Sequence, residues 1–335
     1  MLEDILRDPS VRAAIPGVSF AALRSGEMAS TFAIGIRGAH DRSEVDARTV
    51  FEAASLTKPL VSFIALQLAE EGRLDLEQPL HALCGSYVAG DVRAEGITAA
   101  HVLTHTSGLP NIVGEQTPLK IYFEPGERFN YGSSAFAWLQ RAIEQADDSP
   151  LEDIARARVF EAFGMTDSSL HWQDRFESNH AQGQEMDGQA VTKRRPLKAA
   201  ASWSLVTTAK DYARFLQAVL RGSGLSPSMH ARWLAPAVPA RDGVDDVLNP
   251  DAAETKDVAW GLGWGLEPST GCFFHWGNIP GFRAFVMGNL SSQDAVVWFA
   301  NSARGLRLAR QVLPEILPGP HPCLDWLRIG RTLEE

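Results

Sequence analysis

The spacing of apolar and polar positions changes along the chain. Residues 17–24 (Gly-Val-Ser-Phe-Ala-Ala-Leu-Arg) and 28–36 are rich in strand formers and are separated by Ser25-Gly26-Glu27, so they predict a hairpin preceded by a short opening helix. From about Ser55 to Glu71 the period becomes helical, with Val61, Ile64 and Leu68 on one stripe and Gly72 as a stop. Pro59 is tolerable in that helix because it lies near the first turn. Strands are hard to find between about 75 and 200. There Thr98 caps a short helix to Thr104, residues 133–145 are amphipathic, and 150–163 form a further helix. Thr208-Ala-Lys-Asp211 has capping-box spacing, with Asp in place of Glu or Gln, and opens a helix to about Leu220. Strand character then returns at 272–275, 283–289 and 295–301, and a closing helix over 303–313 carries Leu306, Ala309 and Leu313 on one stripe.

Strands at both ends and helices in the middle predict an α+β fold. One antiparallel sheet of about five strands would be flanked by N- and C-terminal helices, with a mainly helical domain inserted. The expected division is 1–54 with 200–335 as the sheet domain and 55–199 as the helical domain, with the active site in the cleft between them.

Composition narrows the partners. The chain has 335 residues, 45% hydrophobic and 21% charged, and a formal net charge of -10. That charge argues against nucleic acid or an anionic membrane as a partner and leaves a small molecule or peptide. Oligomeric state is not legible. Cys84, Cys272 and Cys323 are widely spaced without C-x-x-C, so neither a disulfide framework nor a zinc cluster is implied. The first residues lack an apolar signal core and no segment is apolar for long enough to span a bilayer, so a cytoplasmic address is expected.

The chemistry begins at Ser55-Leu-Thr-Lys58. Three residues apart on a helix, a hydroxyl and an amine share a face, and a lysine whose pKa is lowered by burial can take the serine proton. Alone the spacing is weak, since about one S-x-x-K arises by chance in a chain this long. Two further motifs follow in order. Tyr131-Gly-Ser133 stands at a turn before a helix, and His275-Trp-Gly277 ends a strand, where a glycine lets a substrate approach the backbone closely.

The order S-x-x-K, Y-x-[NS], [KH]-x-G resembles the serine β-lactamase and penicillin-binding protein (DD-peptidase) family, most like its class C β-lactamase and family VIII esterase branches. The segments at 101–110 (His-Val-Leu-Thr-His-Thr-Ser-Gly-Leu-Pro), 160–167, 260–265 and 277–282 resemble family segments too, so the likeness runs from Pro16 to about Asn301. The resemblance implies the β-lactamase/transpeptidase-like fold. It also implies that Ser55 is the nucleophile, Lys58 the base and Tyr131 the acid/base toward the leaving group. His275 would take the Lys or His place on the strand, and the backbone N–H groups of Ser55 and Asn278 would form the oxyanion hole. Such a route needs no cofactor or metal. Two departures bear on substrate. Ser133 replaces the frequent Asn and offers no amide N–H, and His275, neutral or only partly charged near pH 7, would hold a substrate carboxylate less firmly than Lys. Ser202-Trp203-Ser204 and Trp276 would add apolar bulk near the cleft.

The expected function is therefore hydrolysis of a small ester or amide through a Ser55 acyl-enzyme. A β-lactamase or D-amino-acid peptidase is the alternative, and a slowly acylated penicillin-binding-like sensor or scaffold the alternative of another class. His101 and His105, four apart, are expected to be structural imidazoles under the Ser-Gly-Leu-Pro turn rather than zinc ligands, because no third ligand follows. Gly261-Leu-Gly-Trp-Gly265 reads as strand, not phosphate loop. No G-x-S-x-G elbow is present. Trp138, Trp172 and Trp233 are expected to be filler, and Glu70-Glu71 and Asp147-Asp148 solvated helix ends.

Overall fold

The computed structural model describes residues 2–241, 247–248 and 251–330. Its ten strands are β1 (Gly17–Arg24), β2 (Glu27–Gly35), β3 (Phe51–Glu52), β4 (Val206–Thr207), β5 (Val238–Arg241), β6 (Glu254–Trp260), β7 (Gly265–Glu267), β8 (Cys272–Ile279), β9 (Phe282–Asn289) and β10 (Asp294–Ala300). Strands β3 and β4 pair alone. The other eight form one antiparallel sheet in the order β2-β1-β10-β9-β8-β7-β6-β5. The β1–β2 hairpin closes through Ser25 and Gly26, both at positive φ (48° and 77°), the conformation that matches strand twist in a two-residue turn.

Five of these strands (β1, β2, β8, β9, β10) are the expected ones, and they are contiguous in the sheet. The other three extend it to eight. Their sequences hide them: β7 has three residues, β6 begins with the mostly exposed, polar Glu-Thr-Lys-Asp, and β5 carries Pro239, which a sheet admits only at its edge. Residues 261–265 are mostly the turn between β6 and β7 rather than strand. Gly263 sits there at φ +100°, with Ser62 Cβ 2.6 Å from where its own Cβ would lie.

Alternation along the strands builds two apolar layers. Val296, Trp298 and Ala300 of β10 face Leu6, Val11, Val312, Leu313 and Ile316 of the terminal helices. Ala295, Val297 and Phe299 face the helices Thr57–Glu70 and Ala209–Arg221. The closing helix is split into a 3-10 turn (Gly305–Leu308), a helix Ala309–Ile316 and a later turn of helix, Pro322–Trp326. The segment 150–163 begins as α-helix (Leu151–Ala155) and widens to a π-helix at Arg156–Glu161.

The helix Thr57–Glu70 differs from expectation in a way that matters. It is not buried along one stripe: all residues from Thr57 to Leu66, and Leu68, are enclosed between the sheet and the other helices. The polar residue at its start, Lys58, is enclosed with them. Glu71 and Asp147, expected as solvated helix ends, are instead joined by Arg158, and Arg73 also reaches Asp147 at 2.7 Å. Buried carboxylates anchor the long connection from 166 to 205. Arg194 Nε donates to Glu52 (2.6 Å), Leu170 N–H to Glu152 (2.6 Å) and Asp167 N–H to Asp211 (2.7 Å). Among the described residues no helix is long and apolar enough to cross a membrane.

Candidate active site

Ser55 lies in a 3-10 turn, Ala54–Leu56, that feeds directly into the helix Thr57–Glu70. Ala54 precedes it at φ 51°, a left-handed conformation costly for a residue with a Cβ, which persists only where surroundings enforce it. Those surroundings are identifiable. Ala53 N–H donates to Leu205 O (2.8 Å), Thr57 Oγ1 donates to Ala54 O (2.7 Å), and Leu205 N–H donates to Thr57 Oγ1 (3.0 Å). From the helix Ala209–Arg221, Tyr212 donates its hydroxyl to Leu56 O at 3.0 Å. Thr57 and Tyr212 thus hold the turn from behind, and Ser55 itself remains partly open to solvent.

Lys58 Nζ is 2.9 Å from Ser55 Oγ and donates to Ser202 O at 3.0 Å. The side chain is fully buried, and burial holds its pKa well below the ordinary lysine value. Tyr131 faces the same amine, with Nζ 4.9 Å from the ring centroid. The tyrosine is fixed from two sides, by His105 (centroids 4.3 Å apart) and by Trp276 (4.9 Å).

His105 has left the helix, which ends at Leu103, and stands at φ 55°. From there its Nδ1 accepts the N–H of Gly132 (3.0 Å) and its carbonyl accepts the N–H of Asn130 (2.8 Å), so it brackets Tyr131 in sequence as well as in space. This is the expected structural role, directed at the loop that carries Tyr131. His101 stays on the helix and completes the capping box with Thr98.

Strand β8 supplies the third side. Gly277 is required: a Cβ there would sit 2.4 Å from Ala53 O, so only glycine lets the strand meet the Ser55 turn. Strand β7 pairs with β8 only as far as Phe274, which leaves residues 275–279 open along that edge. The turn Pro280-Gly281 makes Ile279–Phe282 a hydrogen-bonded pair, so by alternation Asn278–Arg283 is non-bonded and the N–H of Asn278 points to the open edge.

Packing changes two features of the expected opening here. His275 does not reach solvent. It is fully enclosed, its Nδ1 is engaged with the main chain of Trp276 (2.9 Å), and burial next to Lys58 pushes its pKa down to about 3. Trp276 adds no apolar bulk to the opening, because its ring packs on Tyr131, Trp260 and Trp326 beneath the sheet. Trp203, beside the carbonyl that holds Lys58, is the partly exposed tryptophan. Ser133, two residues beyond Tyr131, donates to Asn111 Oδ1 at 2.6 Å. Asn111 and the Ser202 carbonyl were not legible beforehand, since nothing local in their sequence marks them. No metal-ligating group of three or more side chains gathers around Ser55 among the described residues.

Comparison with known proteins speaks to the family and the fold. A family model described as Beta-lactamase matches residues 2–317. The chain is 24% identical over 303 residues to PbpX of Bacillus subtilis (strain 168), whose name refers to penicillin binding, covering 86% of this chain and 71% of that protein. It is 21% identical over 326 residues to protein flp of Staphylococcus aureus (strain NCTC 8325 / PS 47), covering 90% of this chain but only 62% of that relative's length. Among solved structures, a penicillin-binding protein from Bacillus halodurans superposes with a TM-score of 0.77 at 21% identity, covering 93% of this chain and all of that one. D-alanine carboxypeptidase AmpC from Burkholderia cenocepacia superposes with a TM-score of 0.71 at 20% identity, covering 90% and 94%. Proteins built on this fold are generally serine hydrolases. With the family model matched along nearly its whole length, this chain belongs to the beta-lactamase family.

Proposed function

We propose that the protein hydrolyses a small ester or amide through an acyl-enzyme on Ser55. The observation that carries this is the fully buried Lys58 amine 2.9 Å from Ser55 Oγ. A lysine whose burial favours the neutral form has a lone pair for the serine proton at neutral pH. As Oγ attacks the carbonyl carbon, its proton passes to Nζ. The carbonyl oxygen becomes an oxyanion between the N–H groups of Ser55 and Asn278. Tyr131 relays the proton to the leaving group, which departs as alcohol or amine. Water then attacks the acyl carbon by the reverse relay, releasing the acid and restoring Ser55.

Substrate preference follows from what the opening offers. β-Lactams and D-amino-acid peptides carry a carboxylate that a strand cation would hold, and the residue at that position, His275, is neutral and enclosed. An ester with a modest apolar acyl group asks for no such cation and suits the partly exposed Trp203. Asn111, which accepts from Ser133 of the tyrosine motif, would be the amide available there in place of the motif's usual Asn.

Wild type and Ser55→Ala assayed side by side with p-nitrophenyl butyrate and nitrocefin test the proposal. Serine-dependent release of p-nitrophenol exceeding nitrocefin cleavage is expected. Faster nitrocefin turnover would reverse the substrate assignment, and a stoichiometric adduct without turnover would indicate a slowly acylated sensor.

A further inference from the structure

At the far end of β8 from Gly277, on the opposite face of the sheet, Glu267 Oε, Cys272 Sγ and a ring nitrogen of His321 lie within 4.8 Å of one another. Glu267 and Cys272 are cross-strand partners on β7 and β8, so the sheet register itself sets them side by side. His321 arrives from 49 residues further on, at the start of the helix Pro322–Trp326. Two residues beyond, Cys323 donates its N–H to Glu267 Oε1 at 2.9 Å and brings a second thiol beside Glu267 and Cys272.

We infer that these residues form a structural site for a zinc-class divalent cation, tying the β7–β8 edge to the C-terminal segment. The donor set is a thiolate, an imidazole and a carboxylate, with a second thiol in reach as the fourth, which is zinc chemistry rather than magnesium or calcium chemistry. Charge balances in this enclosed place, since Glu267 and a deprotonated Cys272 neutralise a dication while His321 binds as neutral imidazole. On binding, the Cys272 thiol proton leaves to solvent.

The surroundings orient the donors as outer partners of a metal site do. His321 Nε2 is 2.7 Å from Leu317 O, a carbonyl that can only accept, so in the neutral ring the proton lies on Nε2 and the Nδ1 lone pair is turned toward Glu267, 3.2 Å away. The carboxylate beside Nδ1 calls for positive charge there, which a second proton on the ring supplies when the site is empty and a cation supplies when it is filled. Asn289 Nδ2 donates to Cys272 Sγ (3.5 Å), and Thr270 Oγ1 donates to Glu267 Oε2 (2.9 Å). Tetrahedral zinc places its donors about 3.4 to 3.8 Å apart, so the group closes by roughly 1 Å on binding. His321 also lines a surface groove with Asp257, Asp325 and Arg310, the last two paired with each other, which gives a cation a way in from solvent.

The test uses the full chain stripped with chelator and titrated with zinc, and separately with cobalt(II). Native mass spectrometry should show one metal per chain, cobalt should give a thiolate-to-metal charge-transfer band, and zinc should raise Tm. Cys272→Ala and His321→Gln should each weaken zinc binding by tenfold or more and abolish or weaken the band, with Ser55-dependent turnover retained as proof of folding. A folded wild type that binds no stoichiometric zinc, a cobalt complex without a thiolate band, a Cys272–Cys323 cross-link in the intact mass, or variants that bind as tightly as wild type would each overturn the inference. Should both variants fail to fold, the cobalt band of the wild type decides alone.

Discussion

On the face of β8 that meets Ser55, Lys58, His105 and His275 are enclosed yet hold few hydrogen bonds, and burial depresses the pKa of all three. On the opposite face Glu267 is equally enclosed, but the Thr270 hydroxyl and the Cys323 N–H both donate to it. The two clusters share a strand and differ in how fully their polar atoms are engaged. Bases kept neutral by desolvation retain a lone pair for proton transfer. A carboxylate with its oxygens occupied is held still, which suits a fixed ligand or tether rather than a reacting group.

The comparison breaks most visibly at its reactive end. Ser55→Ala should lower kcat/KM by about a thousandfold or more with an unchanged unfolding midpoint, because it removes a hydroxyl without opening a sizeable cavity. Comparable turnover in that variant would remove the basis for calling the cluster reactive. Lys58→Met should lose about a hundredfold to ten-thousandfold in rate while gaining stability at neutral pH. The sign follows from the lowered pKa. The buried amine is held neutral in the fold but is charged in the unfolded chain, a cost fully present below the folded pKa that fades as pH rises toward the ordinary value of 10.5. Thermal melts at neutral and alkaline pH check this, and a variant less stable than wild type at neutral pH would contradict it.

Acid should sharpen the same point away from the site. His180, enclosed by Trp172 and Phe282 with no hydrogen-bond partner for its ring nitrogens among the described residues, has its pKa driven down to about 3 by burial. Stability should therefore fall as pH drops from about 6.5 toward 3, by up to about 4 kcal/mol from this residue. Denaturant melts of His180→Phe should show a flatter acid limb than wild type. The smallest effect is expected at His105→Phe, which keeps an aromatic ring against Tyr131 but orphans the Gly132 N–H. A loss of about 1–3 kcal/mol in stability, with kcat falling more than KM changes, is the outcome that marks it as a positioning residue.

Much of this was readable in the chain because it is local. The hairpin at Ser25-Gly26, the caps at Thr98 and Thr208, the strands of period two and the three spaced motifs each depend on neighbours in sequence. What was missed depends on packing. Lys58 was expected as a base whose pKa burial would lower, but the spacing alone could not show that burial, and the layers around Thr57–Glu70 do. His275 was expected to be neutral or only partly charged from its residue type, but its complete enclosure, which keeps it neutral, shows only in the packing. The Glu267, Cys272, His321 and Cys323 group spans 56 residues with no motif spacing, so only the register of β7 on β8 and the return of the C-terminal segment bring it together.

The most direct test of the central claim is to quench wild type within a few turnovers of p-nitrophenyl butyrate and map the acyl group by peptide mass spectrometry. The account predicts a butyryl group on Ser55 that is absent from Ser55→Ala and scarcely forms in Lys58→Met. Turnover with no acyl group on Ser55, or an acyl group carried by another residue, would contradict it.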